Sequence, residues 1–333
     1  MQVCARATPP QGHRVATRGA RWLNVTCAHG YGEQRLAVLL FMLAHWLSQG
    51  GALPSDAGSF DRARPVTSPV IAAAGDIACA PGELSTDRTC HHAGTASLLA
   101  GADRVLTLGD NQYETGALPD FRQAYGPTWG RYKAITEPVP GDEEYETPGA
   151  LGYYDYFGKP WWYSYDIGAW HLIALDSSNR YLSQTSEGSP QNNWLEADLA
   201  SHPNKCTLAY WHHPRYSATS SYTPGVRRSV AGPLWTDLLK AHADVVLNGH
   251  EHNYQRWAPM DNARNVRSKG IRQFVVGTGG KSLDDITKSP VGLQASSDDT
   301  FGVLRLTLHR ASYNWAYVAE GGQVLDSGSG NCR

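Results

Sequence analysis

The chain contains no Cys-x-x-Cys pair, which removes the usual framework of a zinc-thiolate site. It also lacks an excess of either charge. Its 29 Lys and Arg stand against 31 Asp and Glu, a formal net charge of -2. That balance offers no broad basic face, so nucleic acid is not expected as a partner. The apolar run from Leu36 to Ala44 falls well short of the roughly 20 residues that cross a bilayer. There is no internal repeat and no low-complexity tract. Phenylalanine is scarce, at 6, whereas Trp and Tyr number 11 and 17. Amphipathic rings of that kind pack cores and also line polar clefts.

What is present describes a soluble globular protein. An apolar share of 41% over 333 residues supplies a sizeable core, in one large domain or two. Residues 1–68 read as a leader and linker, and residues 69–333 as the folded domain. Arg14, Arg18, Arg21 and Arg35 precede the run Leu36–Ala44, and small residues follow at Gly50, Gly51 and Ala52. Positive flank, short apolar run and small-residue exit predict a secretory signal, hence an extracytoplasmic protein without a stable membrane span after processing. A buried helix or plain anchor is the competing reading of the same run. Cys4 and Cys27 fall in the leader. The other four, Cys79, Cys90, Cys206 and Cys332, permit three pairings, and sequence does not choose among them. Cys79 with Cys90 is the natural local loop, and Cys206 with Cys332 would then pin the C-terminus to a strand.

Short apolar, β-branched runs closed by Gly, Asp or Asn predict strands at residues 70–74, 104–108, 134–139, 171–175, 207–211, 245–247 and 274–276. Helical spacing lies between several of them, at 95–100, 192–199 and 233–242, the last opening on Pro233. Residues 161–177 read as a hairpin turning at Gly168, and 302–308 with 313–318 as antiparallel strands. Alternating strands and helices with a β-rich end predict an α/β protein of two packed mixed sheets, its functional loops at strand C-termini. The long polar loops 177–191 and 217–230 are candidate substrate rims, or plain surface loops.

Five polar segments follow apolar runs in order: Gly75-Asp76, Gly109-Asp110-Asn111-Gln112-Tyr113, Gly141-Asp142-Glu143-Glu144, Trp211-His212-His213-Pro214 and Asn248-Gly249-His250-Glu251-His252. Oxygen and imidazole donors at successive strand ends suit a two-metal hydrolytic centre. The ordered set resembles the calcineurin-like metallophosphoesterases. Tyr113, three residues after Asp110, makes it most similar to their purple acid phosphatase branch. The resemblance covers residues 70–282. It implies a four-layer α/β/β/α sandwich and two metal ions, iron with zinc, manganese or a second iron. It further implies a small phosphoester substrate, attacked by a metal-bound hydroxide. Carried over, Asp76, Tyr113 and His252 would hold one ion, and His212, His250 and Asp142 the other. Asp110 would bridge them, and His213 would contact phosphate. The alternation His250-Glu251-His252 is expected to place both imidazoles on one side of an extended segment.

The third segment departs from the family, which has Gly-Asn-His and then an acid. Asp142 can still ligate, but it and Glu143 together shift the charge of a dinuclear site by about two units toward negative. Glu143 stands where the family has a histidine that assists the leaving group. At its reference pKa of about 4.3, a glutamate carries a proton in only about one molecule in 500 at pH 7. Both changes weigh against phosphomonoester turnover. The alternatives are therefore a catalytically weakened, ligand-binding member, or an esterase for a phosphodiester or less anionic substrate.

Overall fold

All seven apolar runs form strands, because each supplies β-branched or small residues that pack on both faces of a sheet. A computed structural model describes residues 68–178, 185–203, 206–219 and 224–333. The expected signal segment, Cys4 and Cys27 lie outside the described residues, as do parts of both candidate rim loops. In chain order the strands are β1 (Val70–Ala74), β2 (Arg104–Leu108), β3 (Thr136–Val139), β4 (Tyr163–Ile167), β5 (Trp170–Ala174), β6 (Cys206–Tyr210) and β7 (Val245–Asn248). They continue as β8 (Tyr254–Trp257), β9 (Arg272–Val276), β10 (Leu293–Ser297), β11 (Gly302–Leu308), β12 (Ser312–Ala319) and β13 (Val324–Asn331).

One sheet has the order β13-β12-β11-β1-β2-β3, the other β10-β8-β9-β7-β6-β5-β4. Both are mixed. β1, β2 and β3 run parallel, while β11 joins β1 antiparallel. β5, β6, β7 and β9 run parallel, with β4 and β8 antiparallel at their flanks. The result is the expected α/β sandwich. Parallel strands with their C-terminal ends aligned create one functional edge, and β1, β2, β3, β6 and β7 all end there.

Residue alternation divides the core. Leu172, Ala174, Leu208, Tyr210, Val245 and Leu247 face a cluster that includes Ile71, Leu106, Leu304 and Leu306 of the other sheet. Their neighbours Ile173, Ala209, Trp211 and Val246 face the opposite way, toward Leu195, Leu199, Leu234, Trp235 and Leu238. Those last five belong to the two longest helices among the described residues, α1 (Pro190–Ser201) and α2 (Pro224–Lys240). Each fully buried aliphatic side chain contributes roughly 1.5–3 kcal/mol, so this two-sided burial holds the second sheet rigid. α1 begins where Ser189 accepts the Asn192 N–H and Pro190 opens the first turn.

Two expectations need correction. Pro233 lies inside α2 and does not start it. A proline removes one helical hydrogen bond, and here buried Ala231, Leu234, Trp235 and Leu238 hold that face against the sheet. Strands β8, β10 and β13 were not expected from the pattern. β13 is largely exposed and polar, Val-Leu-Asp-Ser-Gly-Ser-Gly-Asn, and is an edge strand held by its ladder to β12. Backbone pairing of that kind leaves no apolar period to read.

The four domain cysteines pair as Cys79–Cys90 and Cys206–Cys332, closing separations of 11 and 126 residues. In a chain-entropy account, the long closure restricts the unfolded state by about 2 kcal/mol more than the short one. Urea unfolding of Cys206→Ala/Cys332→Ala should accordingly show about 2 kcal/mol more destabilisation than Cys79→Ala/Cys90→Ala. Equal losses would contradict this origin of the stability.

Candidate metal centre

The five polar segments meet at one edge because the chain there has been reduced to glycine. A Cβ on Gly141 would lie 2.0 Å from Asp110 Oδ1, and one on Gly109 would lie 2.5 Å from His212 Nδ1. Only a hydrogen allows these strand ends to approach so closely. The residue after each of three such glycines turns back at positive φ: Asp76 at 59°, Asp110 at 47° and His250 at 71°. Left-handed backbone at a non-glycine costs on the order of 1 kcal/mol or more, and such residues cluster at functional sites. His250 is therefore not in an extended segment as the alternation suggested. The turn at His250, not a strand, brings both imidazoles to the edge.

All seven expected metal-binding side chains are brought together. The Tyr113 hydroxyl lies 3.1 Å from Asp76 Oδ1, 2.9 Å from Asp110 Oδ2 and 3.0 Å from His252 Nε2. His252 Nε2 is also 3.1 Å from Asp76 Oδ1. On the other side, Asp142 Oδ1 is 3.0 Å from His212 Nε2 and 3.1 Å from His250 Nδ1. The two imidazole nitrogens are themselves 3.1 Å apart. Asp110 joins the halves, its Oδ2 lying 3.3 Å from His212 Nε2 as well as against Tyr113.

These are donor sets in search of a cation. Asp76, Asp110 and His212 offer atoms within 4.8 Å of one another, as do Asp142, His213 and His250. Two ring nitrogens facing one carboxylate oxygen and each other suit a shared metal ion, and mixed carboxylate, imidazole and phenol ligands suit iron, zinc or manganese. The donor set thus fits the two ions that the resemblance implies.

In the metal-free chain the same closeness moves the protons. Burial alone would lower His212, but Asp110, Asp142 and Asp76 raise it well above its usual value. Burial likewise opposes a charged His252, yet Asp76 and its neighbours raise it to about 9. Asp76 and Asp142 are pushed up by burial and pulled further down by the imidazoles, ending below the usual carboxylate range. Burial, then Asp110 and Asp76, raise the Tyr113 phenol well above 10, so the chain by itself does not make it a phenolate.

Glu143 and His213 stand beside Asp142. The Glu143 backbone N–H donates to Asp110 Oδ1 at 3.0 Å. Burial first, then Asp110, Asp142, Glu114 and Glu146, push its carboxyl up to about 7. Without bound cations the protonated form is therefore less scarce than a reference value gives, since that value contains neither burial nor neighbouring carboxylates. His213 Nε2 lies 3.4 Å from Asp142 Oδ1, and its Nδ1 lies 3.0 Å from Ser177 Oγ.

Several supporting residues escaped sequence reading. Glu144, fully buried, accepts the N–H groups of Asn111, Gln112 and Gly141, tying the second segment to the third. Its place in the third segment was the available signal. Lys281 and Ser282 had none, and Ser177 was read only as the start of a candidate rim loop. Ser282 Oγ contacts His252 Nδ1 at 2.6 Å from 30 residues away.

The raised histidines fix a linkage. Protonated His252 stabilises the metal-free fold fully below its unfolded value of about 6.5, and that contribution is lost as pH rises through about 9. A metal takes neutral imidazole, so loading the metal-free protein at pH 7 should release protons and binding should tighten from pH 6 to 9. A weakly buffered titration measures both; pH-independent binding without proton release would contradict the assigned protonation.

With this geometry in place, relatives are informative. Residues 69–254 match the calcineurin-like phosphoesterase family. Purple acid phosphatase 21 of Arabidopsis thaliana is 30% identical over 163 residues, covering 46% of this chain and 36% of its own length. Probable inactive purple acid phosphatase 27 of the same plant is 24% identical over 257 residues, covering 63% of this chain and 40% of its own. The chain thus spans less than half the length of these curated relatives. The structure of a purple acid phosphatase, PPD1, from yellow lupin (Lupinus luteus) seeds matches with a TM-score of 0.64 at 19% identity. That match covers 80% of this chain and 54% of the lupin chain, a likeness of fold. The chain belongs to the calcineurin-like phosphoesterase family, and its relatives include purple acid phosphatases.

Proposed function

We propose that this chain is a two-metal phosphoesterase that hydrolyses phosphomonoesters, and that it is exported. The reading is carried by one observation: donors from five segments, drawn from both sheets, form one continuous cluster joined through Asp110. Asp76, Tyr113 and His252 would hold one ion, and Asp142, His212 and His250 the other, with Asp110 shared. Bound there, two ions would supply Lewis-acid polarisation of the phosphoryl group and a nucleophile at moderate pH. Export is supported by the leader pattern and by two disulfides, which persist in oxidising compartments. Among the described residues no helix is long and apolar enough to cross a membrane.

The chain's own task is to hold the cluster and to deliver a proton to the departing alkoxide. Glu143 and His213 would serve that step. Ser177 orients the His213 ring through Nδ1, leaving Nε2 toward Asp142 and the centre. Glu143 has its carboxyl raised by burial and by four carboxylates in the metal-free chain. Bound cations would draw that value down again, so the proton supply at Glu143 opposes metal loading.

A second reading, a weakened member that binds ligand without efficient turnover, has a specific observation in its favour. Asp142-Glu143 replaces the family's Asn-His, and one relative carries the description probable inactive.

Substrate choice separates the two. An enzyme short of a proton donor should cleave aryl phosphates, whose leaving groups need none, far faster than alkyl phosphates. The Asp142→Asn/Glu143→His variant should narrow that gap by a factor within the roughly 10²–10⁴ range of general acid catalysis. Equal parental rates on both substrates would instead support proton delivery by Glu143 or His213 and overturn the weakened reading. Protein that retains no iron, zinc or manganese under any loading condition would overturn the two-metal reading itself.

A further inference from the structure

The two halves of the cluster are supported from different places. His212 is oriented by the Leu108 carbonyl, which lies 2.8 Å from its Nδ1. The Asp142 loop is anchored by the Glu144 carboxylate on Gly141 N–H. Asp76, Tyr113 and His252 share another support, the corner at Lys281 and Ser282 that follows β9.

Each of the three donors touches this corner. The Lys281 N–H donates to the Asp76 carbonyl at 2.9 Å. The Lys281 ammonium lies 5.1 Å from the centre of the Tyr113 ring and pairs at 2.5 Å with Glu114, the next residue along. It also pairs with Glu83 at 2.9 Å, inside the loop closed by Cys79–Cys90. Ser282 Oγ sits 2.6 Å from His252 Nδ1. That loop in turn holds the corner, because Cys90 N–H donates to the Lys281 carbonyl and Thr89 bridges Ser282.

Chemistry gives the corner a function. A histidine binds a metal through the nitrogen opposite the one that carries its proton, and an acceptor on the far side fixes which is which. With Ser282 accepting the Nδ1 proton, the lone pair of His252 is committed to Nε2, the atom facing Asp76 and Tyr113. Lys281 fixes the ring of Tyr113 by charge and by tethering Glu114. We infer that Lys281 and Ser282 are positioning residues that set metal affinity selectively at the Asp76–Tyr113–His252 half. The inference rests on the two-metal reading above.

Equilibrium metal titration with zinc, read by metal analysis after gel filtration, tests it on the parent, Ser282→Ala, Ser282→Thr and Lys281→Met. Thermal melting of each metal-free protein reports general damage. The parent is expected to take up two ions. Ser282→Ala should weaken one of them by about 10- to 100-fold, the range for loss of a ligand's supporting partner, with the other held at parental affinity. Ser282→Thr, which keeps the hydroxyl, should return toward the parent, and Lys281→Met should weaken the same ion. Two ions bound at parental strength by Ser282→Ala would overturn the inference. So would equal weakening of both ions together with a lowered melting temperature, the mark of a merely structural role. A parent that binds no ion overturns the two-metal reading instead, a result distinguishable from either.

Discussion

Everything at the functional edge depends on Asp110. Its carboxylate is buried where two sheets meet, and each oxygen has separate work. Oδ2 faces the Tyr113 hydroxyl and His212 Nε2, one from each half of the cluster. Oδ1 takes the Glu143 N–H and so fixes the start of the third segment. A carboxylate in this position meets all these partners when β2, β3 and β6 end at the same level, and parallel pairing aligns β2 with β3 in one sheet and β6 with β7 in the other. Between the sheets the level is set by backbone. Gly75 N–H donates to the Val276 carbonyl, and the Gly279 N–H donates to the Gly75 carbonyl. Hydrogen bonds across the sandwich therefore occur beside the very residues whose alignment the cluster requires.

The glycine and ligand conformations follow from that alignment. Side chains from five segments cannot converge to about 3 Å while ordinary Cβ atoms separate the backbones, hence the contacts that Gly109 and Gly141 leave open. Positive φ at Asp76, Asp110 and His250 is the conformational cost of turning the chain immediately at the strand end. The two-sided core supplies the rigidity that offsets it. Leu108, Tyr210 and Leu247 sit at or just before the turns and are fully buried, so the strand ends do not yield.

Much of this was legible in the sequence, for identifiable reasons. The parallel strands are buried on both faces, so they read as continuous apolar runs, and the candidate ligands follow them directly in the chain. That locality let Asp76, Asp110, Asp142, His212, His250 and His252 be picked out, and the structure brings all of them together. Contacts that form through space were not legible. Nothing in the sequence near His252 points to Ser282, and nothing near His213 points to Ser177. The raised carboxyl of Glu143 was not legible for the same reason, because burial, and then Asp110 and Glu114 from far along the chain, act on it through space. β13 escaped because its order comes from backbone pairing with β12, and its exposed polar side chains carry no period.

The third segment can now be weighed physically. Asp142 is no misfit: His212, His250 and His213 all lie within 3.4 Å of its Oδ1, so a carboxylate is at least as well accommodated as an amide would be. Glu144 holds the loop whatever stands at 142 and 143, since it works through backbone N–H groups alone. The departure from the family pattern therefore does not disturb the Glu144 anchor, and it changes the charge at this edge. If two ions bind there as proposed, an added carboxylate would strengthen the hold on them and reduce the net positive field that an anionic phosphate would meet. Glu143 then faces opposing demands, since the buried carboxylates keep its proton on and the ions pull it off. Affinity for metal and supply of a proton cannot both be raised by adding negative charge at this edge. Under the proposed two-metal reading, that balance would favour substrates whose leaving groups depart unprotonated and would tie the specificity of the site to two adjacent residues rather than to the fold.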